Sequence, residues 1–545
     1  MSFLKYLGKQ FCLTTHLHGY KFIALPRRAP LERFLWTVIV VFFWSSALFI
    51  LIYVKYRTTR KSTILVTDSI NYPVWNYPFP AITICNFNKI SKMRAHTQAE
   101  QIQHKLNHSV EEIANLFALL GQLYFYSDNI QVTNKDRYLQ LLQLLDHNRV
   151  NLNRLLRSLS PSCSSIVKRC RWKGEDKDCD TIFEKIITSE GHCCSFNYYA
   201  PRNHKFGGLL YPARSPPNPR RVSACGYSSA FEALVSTNSD DYLSSDNLGF
   251  GNKILIHNSY DYPDWGDESF LLGMKVTALL GVNPSRTYST DNFRSLSIRE
   301  RACYFEDELP LKNFKHYTYQ NCLTECRMNL TQYYCGCIPV VYINEDDLIA
   351  PNHKVCSVRD IECLYLHRQY IRSTVPGIEI EAENFTGYVW DSTNQPCRCL
   401  PECSSTTYDF HSSLSFLETK HTPWTDKRGL YYGVNISNHS VLRVYFDDLV
   451  GTRNRRSVIG NWQTFLAFYG GILGLFVGFS FIAGIELIYF FTVKILIDSR
   501  KPKKFEKKPK RIIKQFLQDN GKSRKKEKLE ETEVMDMENE ENNSA

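Results

Sequence analysis

Three residue types stand out near the C-terminal end of the chain because their placement could do chemistry. In the run FLAFYGGILGLFVGFSFIAGIELIYFF, glycines recur at Gly470, Gly474 and Gly478, with Gly471 beside the first. A four-residue repeat puts them on one helical face, where missing side chains let other helices approach. Gly478, Phe479 and Ser480 then place a pliant backbone and a hydroxyl at mid-run. Carbonyl and hydroxyl oxygens can replace water around a small hard cation. Backbone exposed at membrane depth survives only where it lines a cavity. Glu486 is the one ionisable group between Phe465 and Val493. A carboxylate there is costly and faces a cavity, a pore or a partner.

These residues need an element to hold them. Phe465–Val493 is 29 residues long, more than one straight crossing of about 20 residues requires, so a tilt, a break or an interfacial start is expected. A second apolar run, Phe34–Val54, has 21 residues and no charge, and Lys55, Arg57, Arg60 and Lys61 follow it. Its length and late start read as a signal anchor rather than a cleaved leader.

The cysteines give the compartment. Of 18 Cys, 17 lie from Cys85 to Cys403, between the two runs. Such density implies disulfides and an oxidising environment. The sequons at Asn107, Asn329, Asn384, Asn435 and Asn438 share that segment and are expected glycosylation sites. The predicted layout is a cytoplasmic segment 1–33, a first span 34–54, an extracellular Cys-rich domain 55–460, a second span 465–493 and a cytoplasmic tail 494–545. The protein is then a multi-pass protein of the plasma membrane, with both termini cytoplasmic.

The tail is split by charge. From Arg500 to Lys528 there are 14 Lys/Arg against 3 Asp/Glu, a balance of +11, and from Leu529 onward 7 acids and no bases. This reads as a solvated tail or, more sharply, as a polybasic stretch that meets anionic lipid. No nucleic-acid partner is expected. Inside the ectodomain, Ser109 and Glu112 form a capping box ahead of Ile113, Leu116, Phe117 and Leu120 at helical spacing. A second helix is predicted around Tyr138–Leu145, and strands at Ile82–Cys85, Lys253–His257 and Leu442–Phe446. The class is a mixed α+β ectodomain on two membrane helices. No nucleophile elbow, zinc motif or paired-acid signature is present, so no enzyme is expected and no cofactor or metal. The CGC and CRC clusters lack the usual spacing of zinc ligands.

The stretch Gly470–Phe490 resembles the pore helix of the degenerin/epithelial sodium channel family, which includes acid-sensing channels. Its Gly-x-Ser filter is matched by Gly478-Phe479-Ser480, though the middle residue in relatives is often smaller. The position where bulk holds the pore open falls on Ala467. The position tied to amiloride block falls on Gly474, and the inner carboxylate on Glu486. Phe468 stands where an Asp is common, which removes a carboxylate from the outer mouth. FPAITICN at Phe79–Asn86 is similar to the family's post-span motif, Val444–Phe446 to a palm strand, and His18-Gly19 to its cytoplasmic gating motif. His16 stands where Ser is common.

The resemblance implies the pairs Cys303–Cys403, Cys322–Cys399, Cys326–Cys397, Cys335–Cys363, Cys337–Cys356, Cys85–Cys193 and Cys170–Cys179. Cys163, Cys194 and Cys225 are left unassigned. NKILIHNSYDYPDW and ICNFNKIS look most like the arthropod pickpocket branch. The resemblance implies an acid-sensing-channel-like trimer, of one or several related subunits, that passes Na+ and is gated by an unspecified extracellular stimulus. The 15 His are too dispersed to select it. An ATP-gated channel shares the two-span, Cys-rich, trimeric plan but lacks FPAITICN and the Gly-x-Ser filter. A non-conducting receptor or accessory subunit is the other alternative.

Overall fold

A computed structural model describes residues 3–60, 63–103, 109–125, 135–148, 150–201, 218–229, 231–245, 249–264, 266–342, 354–373, 397–417, 430, 434, 436–459 and 462–499. The chain divides into two compact units, Met1–Arg60 with Gly460–Ala545, and Lys61–Ile459.

The Lys61–Ile459 unit is built on two sheets. The larger has eight strands. Its long axis is Val276–Ser289, which lies antiparallel to Ser405–Phe416 from Val276 to Thr287. Its first half runs parallel to His439–Phe446 and its second half parallel to Val450–Val458. Thr63–Pro73 closes one edge against Val450–Val458. Phe231–Ser236, Val167–Trp172 and Glu175–Lys177 extend the other. The five-stranded sheet centres on Ala81–Asn86, between Asn252–His257 and Gly191–Phe196.

All six residues of Ala81–Asn86 are buried. That explains its reading as a continuous apolar run: both faces of the strand are covered, so no polar alternation is needed. Phe79, just before it, meets Trp172 and Phe446 edge-on at centroid distances of 5.0 and 5.3 Å. Ile82, Ile84, Phe196, Phe231, Ile254 and Val444 complete this core. Each such side chain contributes roughly 1.5–3 kcal/mol by leaving water.

A helical layer forms a second core from Ile113, Phe117, Leu120, Leu144, Leu155 and Leu156. Ser109 caps the Val110–Phe117 helix, and Glu112 reaches back to the Ser109 backbone. The Lys135–His147 helix covers the predicted Tyr138–Leu145 segment. A third cluster gathers Tyr198, Tyr262, Phe314 and Tyr317 against the 17-residue Tyr319–Cys335 helix. Thr318 caps that helix at its N-terminus, and Gly336 ends it in the left-handed region at φ 66°.

Eight disulfides tie this unit. They are Cys85–Cys193, Cys163–Cys194, Cys170–Cys179, Cys303–Cys403, Cys322–Cys399, Cys326–Cys397, Cys335–Cys363 and Cys337–Cys356. Two of the three unassigned cysteines, Cys163 and Cys194, thus pair with each other. Cys225 and Cys12 remain thiols. Buried charges are paired as well. Arg327 donates to Asp264, and Glu190 sits between Lys89 and Lys253 at 3.8 and 2.7 Å.

The other unit holds the apolar helices. Pro30–Arg60 is one helix, apolar and long enough to cross a membrane over its 27-residue Pro30–Tyr56 stretch. The C-terminal apolar run forms two helical pieces, Gln463–Val477 and Phe481–Ile497, bent by 70° at the break between them. Of the alternatives the length left open, the break is the one adopted.

Candidate functional site: the broken helix and the N-terminal segment beneath it

The break falls at Gly478, Phe479 and Ser480. Gly478 has φ +73°, a conformation that costs other residues about 1–2 kcal/mol. Its N–H still donates to Gly474 O at 2.9 Å, and Phe479 N–H donates to Leu473 O at 3.1 Å, which finishes the first helix. Ser480 then starts the second. Its backbone is extended, and its Oγ accepts the Ala483 N–H at 3.2 Å. Ser is a preferred N-cap because that oxygen satisfies one of the open donors of a helix start. The same three residues thus stop one helix and start the next.

The N-terminal segment fills the corner. His18 N–H donates to Val477 O at 3.0 Å, satisfying a carbonyl that the helix end leaves open. The His18 ring lies over the bare face of Gly478, where an added Cβ would stand 2.5 Å from His18 Cδ2. Gly19 has φ +81°, and a Cβ there would meet Val40 Cγ2 of the Pro30–Arg60 helix at 2.7 Å. Both glycines of this junction are therefore required twice over, by backbone angle and by close approach.

Leu17, Ala47, Val477 and Ala483 form the small buried core of this corner. Phe479 packs against it, and its ring comes within 3.2 Å of where a Gly484 Cβ would stand. The bulk of the middle residue is thus absorbed by its own chain. Phe11 adds a second tie, with ring centroids 5.3 Å from Phe490 and 5.4 Å from Phe491.

Glu486 is half-buried and bonded to His16 Nδ1 at 2.9 Å from Oε1 and 3.0 Å from Oε2. The sequence marked His16 only as a departure from the usual Ser, and no local signal links it to a carboxylate 470 positions away. Four of the remaining positions face outward. Ala467, Phe468, Gly470 and Gly471 are exposed, and a Cβ on Gly470 or Gly471 would meet nothing within 4 Å. Further along, Gly474 is half-buried, with Phe479 O 3.8 Å from where its Cβ would stand, and the His18 ring covers Gly478, so among the described residues only the Gly470 and Gly471 end is uncovered.

In the disulfide-rich unit, Asn329 is exposed on the Tyr319–Cys335 helix, and Asn438 is half-buried in the Ile436–Asn438 turn. Asn107, Asn384, Asn435 and the basic stretch 500–528 lie outside the described residues. Two titrating groups there are held away from their ordinary behaviour. Burial pushes His257 down to about 4, while Thr83 Oγ1 bonds its Nε2 at 2.8 Å. Burial pushes Asp267 up to about 7.

The family model for the amiloride-sensitive sodium channel matches residues 11–490, a span that contains the first helical piece, the break, the start of the second piece, the His18-Gly19 corner and the disulfide ladder. The chain belongs to the amiloride-sensitive sodium channel family. Its relatives include the sodium channel protein Nach of Drosophila ananassae, 27% identical over 498 residues, covering 90% of this chain and 88% of the relative. Pickpocket protein 11 of Drosophila melanogaster is 25% identical over 492 residues, with 89% and 75% covered. The human bile acid-sensitive ion channel is 23% identical over 518 residues, with 90% and 86% covered. The family and these relatives are ion channels, not enzymes, and the chain is placed among the arthropod pickpocket-like members. For a cation channel of this family, the disulfide-rich unit is the extracellular domain.

Proposed function

We propose that the chain is a pore-forming subunit of a sodium-selective, amiloride-blockable channel of the plasma membrane, gated by an extracellular stimulus. In this reading Pro30–Tyr56 and the broken C-terminal run both span the membrane, and both termini are cytoplasmic. Several such subunits, identical or related, surround one pore as a trimer. The ectodomain carries the glycans and receives the stimulus, and the basic stretch 500–528 meets anionic lipid.

The observation that carries this reading is the break itself. Unsatisfied backbone in hydrocarbon costs several kcal/mol per group. His18 N–H and the Ser480 hydroxyl meet part of that cost at the break, and in this reading the Gly478 and Phe479 carbonyl oxygens face water or an ion. The backbone oxygens there and the Ser480 hydroxyl suit sodium, a hard cation. Because Phe479 packs into its own chain, its bulk does not stand against this role. The uncovered Gly470 and Gly471, with Gly474 one turn further on, suit a pore lining. Ala467 sits one turn before it, where added bulk would hold the pore open, and Gly474 is the position for amiloride. Glu486, tied to His16, lies inward of the filter, and His18-Gly19 buttresses the filter from below.

Expression of Ala467→Val in oocytes tests the reading. The expected result is a standing inward sodium current, larger than wild type and reduced by amiloride. A variant delivered to the surface that stays silent, alone and with related subunits, overturns the pore-forming role.

A further inference from the structure

The pair Cys335–Cys363 differs from the other seven disulfides among the described residues. Each of the others has at least one buried half, such as Cys85, Cys194, Cys170, Cys303, Cys322, Cys397 and Cys337. Cys335 and Cys363 are both partly exposed. Thiol–disulfide exchange requires that an attacking thiolate reach a sulfur, so access selects this pair.

A third group stands beside it. His367 Nδ1 lies 3.6 Å from Cys363 Sγ, one turn downstream, and 3.0 Å from Cys363 O. The imidazole is stacked on Tyr334 at 4.8 Å and 17° and has Tyr370 at 6.5 Å, so its plane is fixed. Cys335 Sγ, Cys363 Sγ and a His367 nitrogen all lie within 4.8 Å of one another. We infer that Cys335–Cys363 is the exchangeable rung of the ectodomain, and that its reduced thiolates together with His367 form a binding site for zinc(II).

The chemistry balances with an external monothiol as reductant. Its thiolate attacks Cys335 Sγ, the disulfide bond breaks, and Cys363 leaves as a thiolate beside His367. A second monothiol then resolves the mixed disulfide on Cys335. The protein ends with two thiols and the reductant as its own disulfide. Zinc displaces the two thiol protons and takes two sulfurs and one nitrogen, leaving a fourth position for water.

The geometry is compatible with this step. Tetrahedral zinc, with bonds of about 2.3 Å to sulfur and about 2.0 Å to nitrogen, spaces its ligands roughly 3.4–3.8 Å apart. The Cα atoms of the pair are 5.8 Å apart, so the freed sulfurs reach that spacing by side-chain rotation. In the disulfide the sulfurs carry no thiolate, so the metal and the disulfide exclude each other. A zinc-bound reduced form would still tie the Tyr319–Cys335 helix to the Ile361–Leu366 helix. None of this depends on the pore-forming role.

The test uses the purified full-length chain. It is treated with graded dithiothreitol, freed of reductant without air, and alkylated with and without Zn2+ before peptide mass spectrometry. Cys335 and Cys363 should be alkylated at a dose that leaves the other pairs intact, and equimolar Zn2+ should protect both. Co2+ should give a thiolate charge-transfer band in the same sample. His367→Ala, which leaves the disulfide in place, should weaken Zn2+ protection at least tenfold, and Cys335→Ser/Cys363→Ser should abolish it. If the double variant does not fold, His367→Ala alone decides. Reduction of another pair first, alkylation unaffected by Zn2+, or full protection in His367→Ala would each overturn the inference.

Discussion

Phe79 and Phe481 are the same residue type in opposite circumstances. Phe79 is fully buried among aromatic and aliphatic side chains of the disulfide-rich unit, whereas Phe481 is 79% exposed at the start of the second helical piece. The contrast extends to their units. The ectodomain closes its own cores and fastens them with eight disulfides, so its fold is specified from within. Among its described residues, the helical unit buries only a handful around Leu17, Ala47, Val477 and Ala483. It leaves Phe42, Phe49, Leu475, Ile482, Ile485 and Ile488 on its surface. An apolar surface of that kind needs lipid or another apolar chain to cover it. One unit is thus held by its own packing and cross-links, and the other by a few backbone constraints at a corner.

If the two units are held so differently, substitutions in one should leave the other intact. The largest is expected from Asp264→Asn. It removes the buried carboxylate to which the Arg327 guanidinium donates, at a cost of about 3–5 kcal/mol. Thermal unfolding of the detergent-solubilised protein should shift down by several degrees, and surface delivery should fall. An unchanged unfolding temperature would show that the pair does not hold the ectodomain.

Gly478→Ala comes next. Backbone strain of about 1–2 kcal/mol, added to the clash with the His18 ring, should reduce current at least tenfold in the Ala467→Val background. Surface expression and ectodomain disulfides should be unaffected. Loss of surface protein instead would show that the corner stabilises the whole chain.

The smallest effect is a pH slope. His257 in the folded protein takes up a proton only near pH 4, against an ordinary value of 6.5. Below 6.5 the unfolded chain binds a proton that the folded site refuses, so stability falls as pH drops from 6.5 toward 4. Between pH 6.5 and 5 that is about 2 kcal/mol. Asp267, raised to about 7, acts in the opposite direction as pH falls from 7 toward its ordinary 3.8. The readout is therefore the difference between proteins: His257→Gln should lose less stability than wild type over that window. Equal slopes would remove His257 from the account.

Much of the ectodomain was legible because its signals are local. The Ser109/Glu112 capping box, the apolar strand at Ile82–Cys85 and the helix around Tyr138–Leu145 each follow from spacing within a few residues. The pairing of Val276–Ser289 with two separate C-terminal strands is not local, and neither is Cys163–Cys194, since spacing alone does not choose partners. At the candidate site, Gly478 and Ser480 were visible as residue types suited to a break. The way Phe479 packs was not visible, because it depends on Gly484 and on an N-terminal segment more than 450 residues earlier. His16 was visible only as an unusual residue, and its contact with Glu486 is a property of the folded corner.

In the proposed pore, Gly478–Ser480 contacts the permeating ion. The reversal potential of Ala467→Val current, measured with external sodium replaced by potassium, tests it most directly when repeated with Ser480→Ala. The expected reversal potential is strongly sodium-selective and moves toward the potassium-permeable value when the Ser480 hydroxyl is removed. A reversal potential unchanged by Ser480→Ala and by Phe479→Ala, with the current still present, would contradict it.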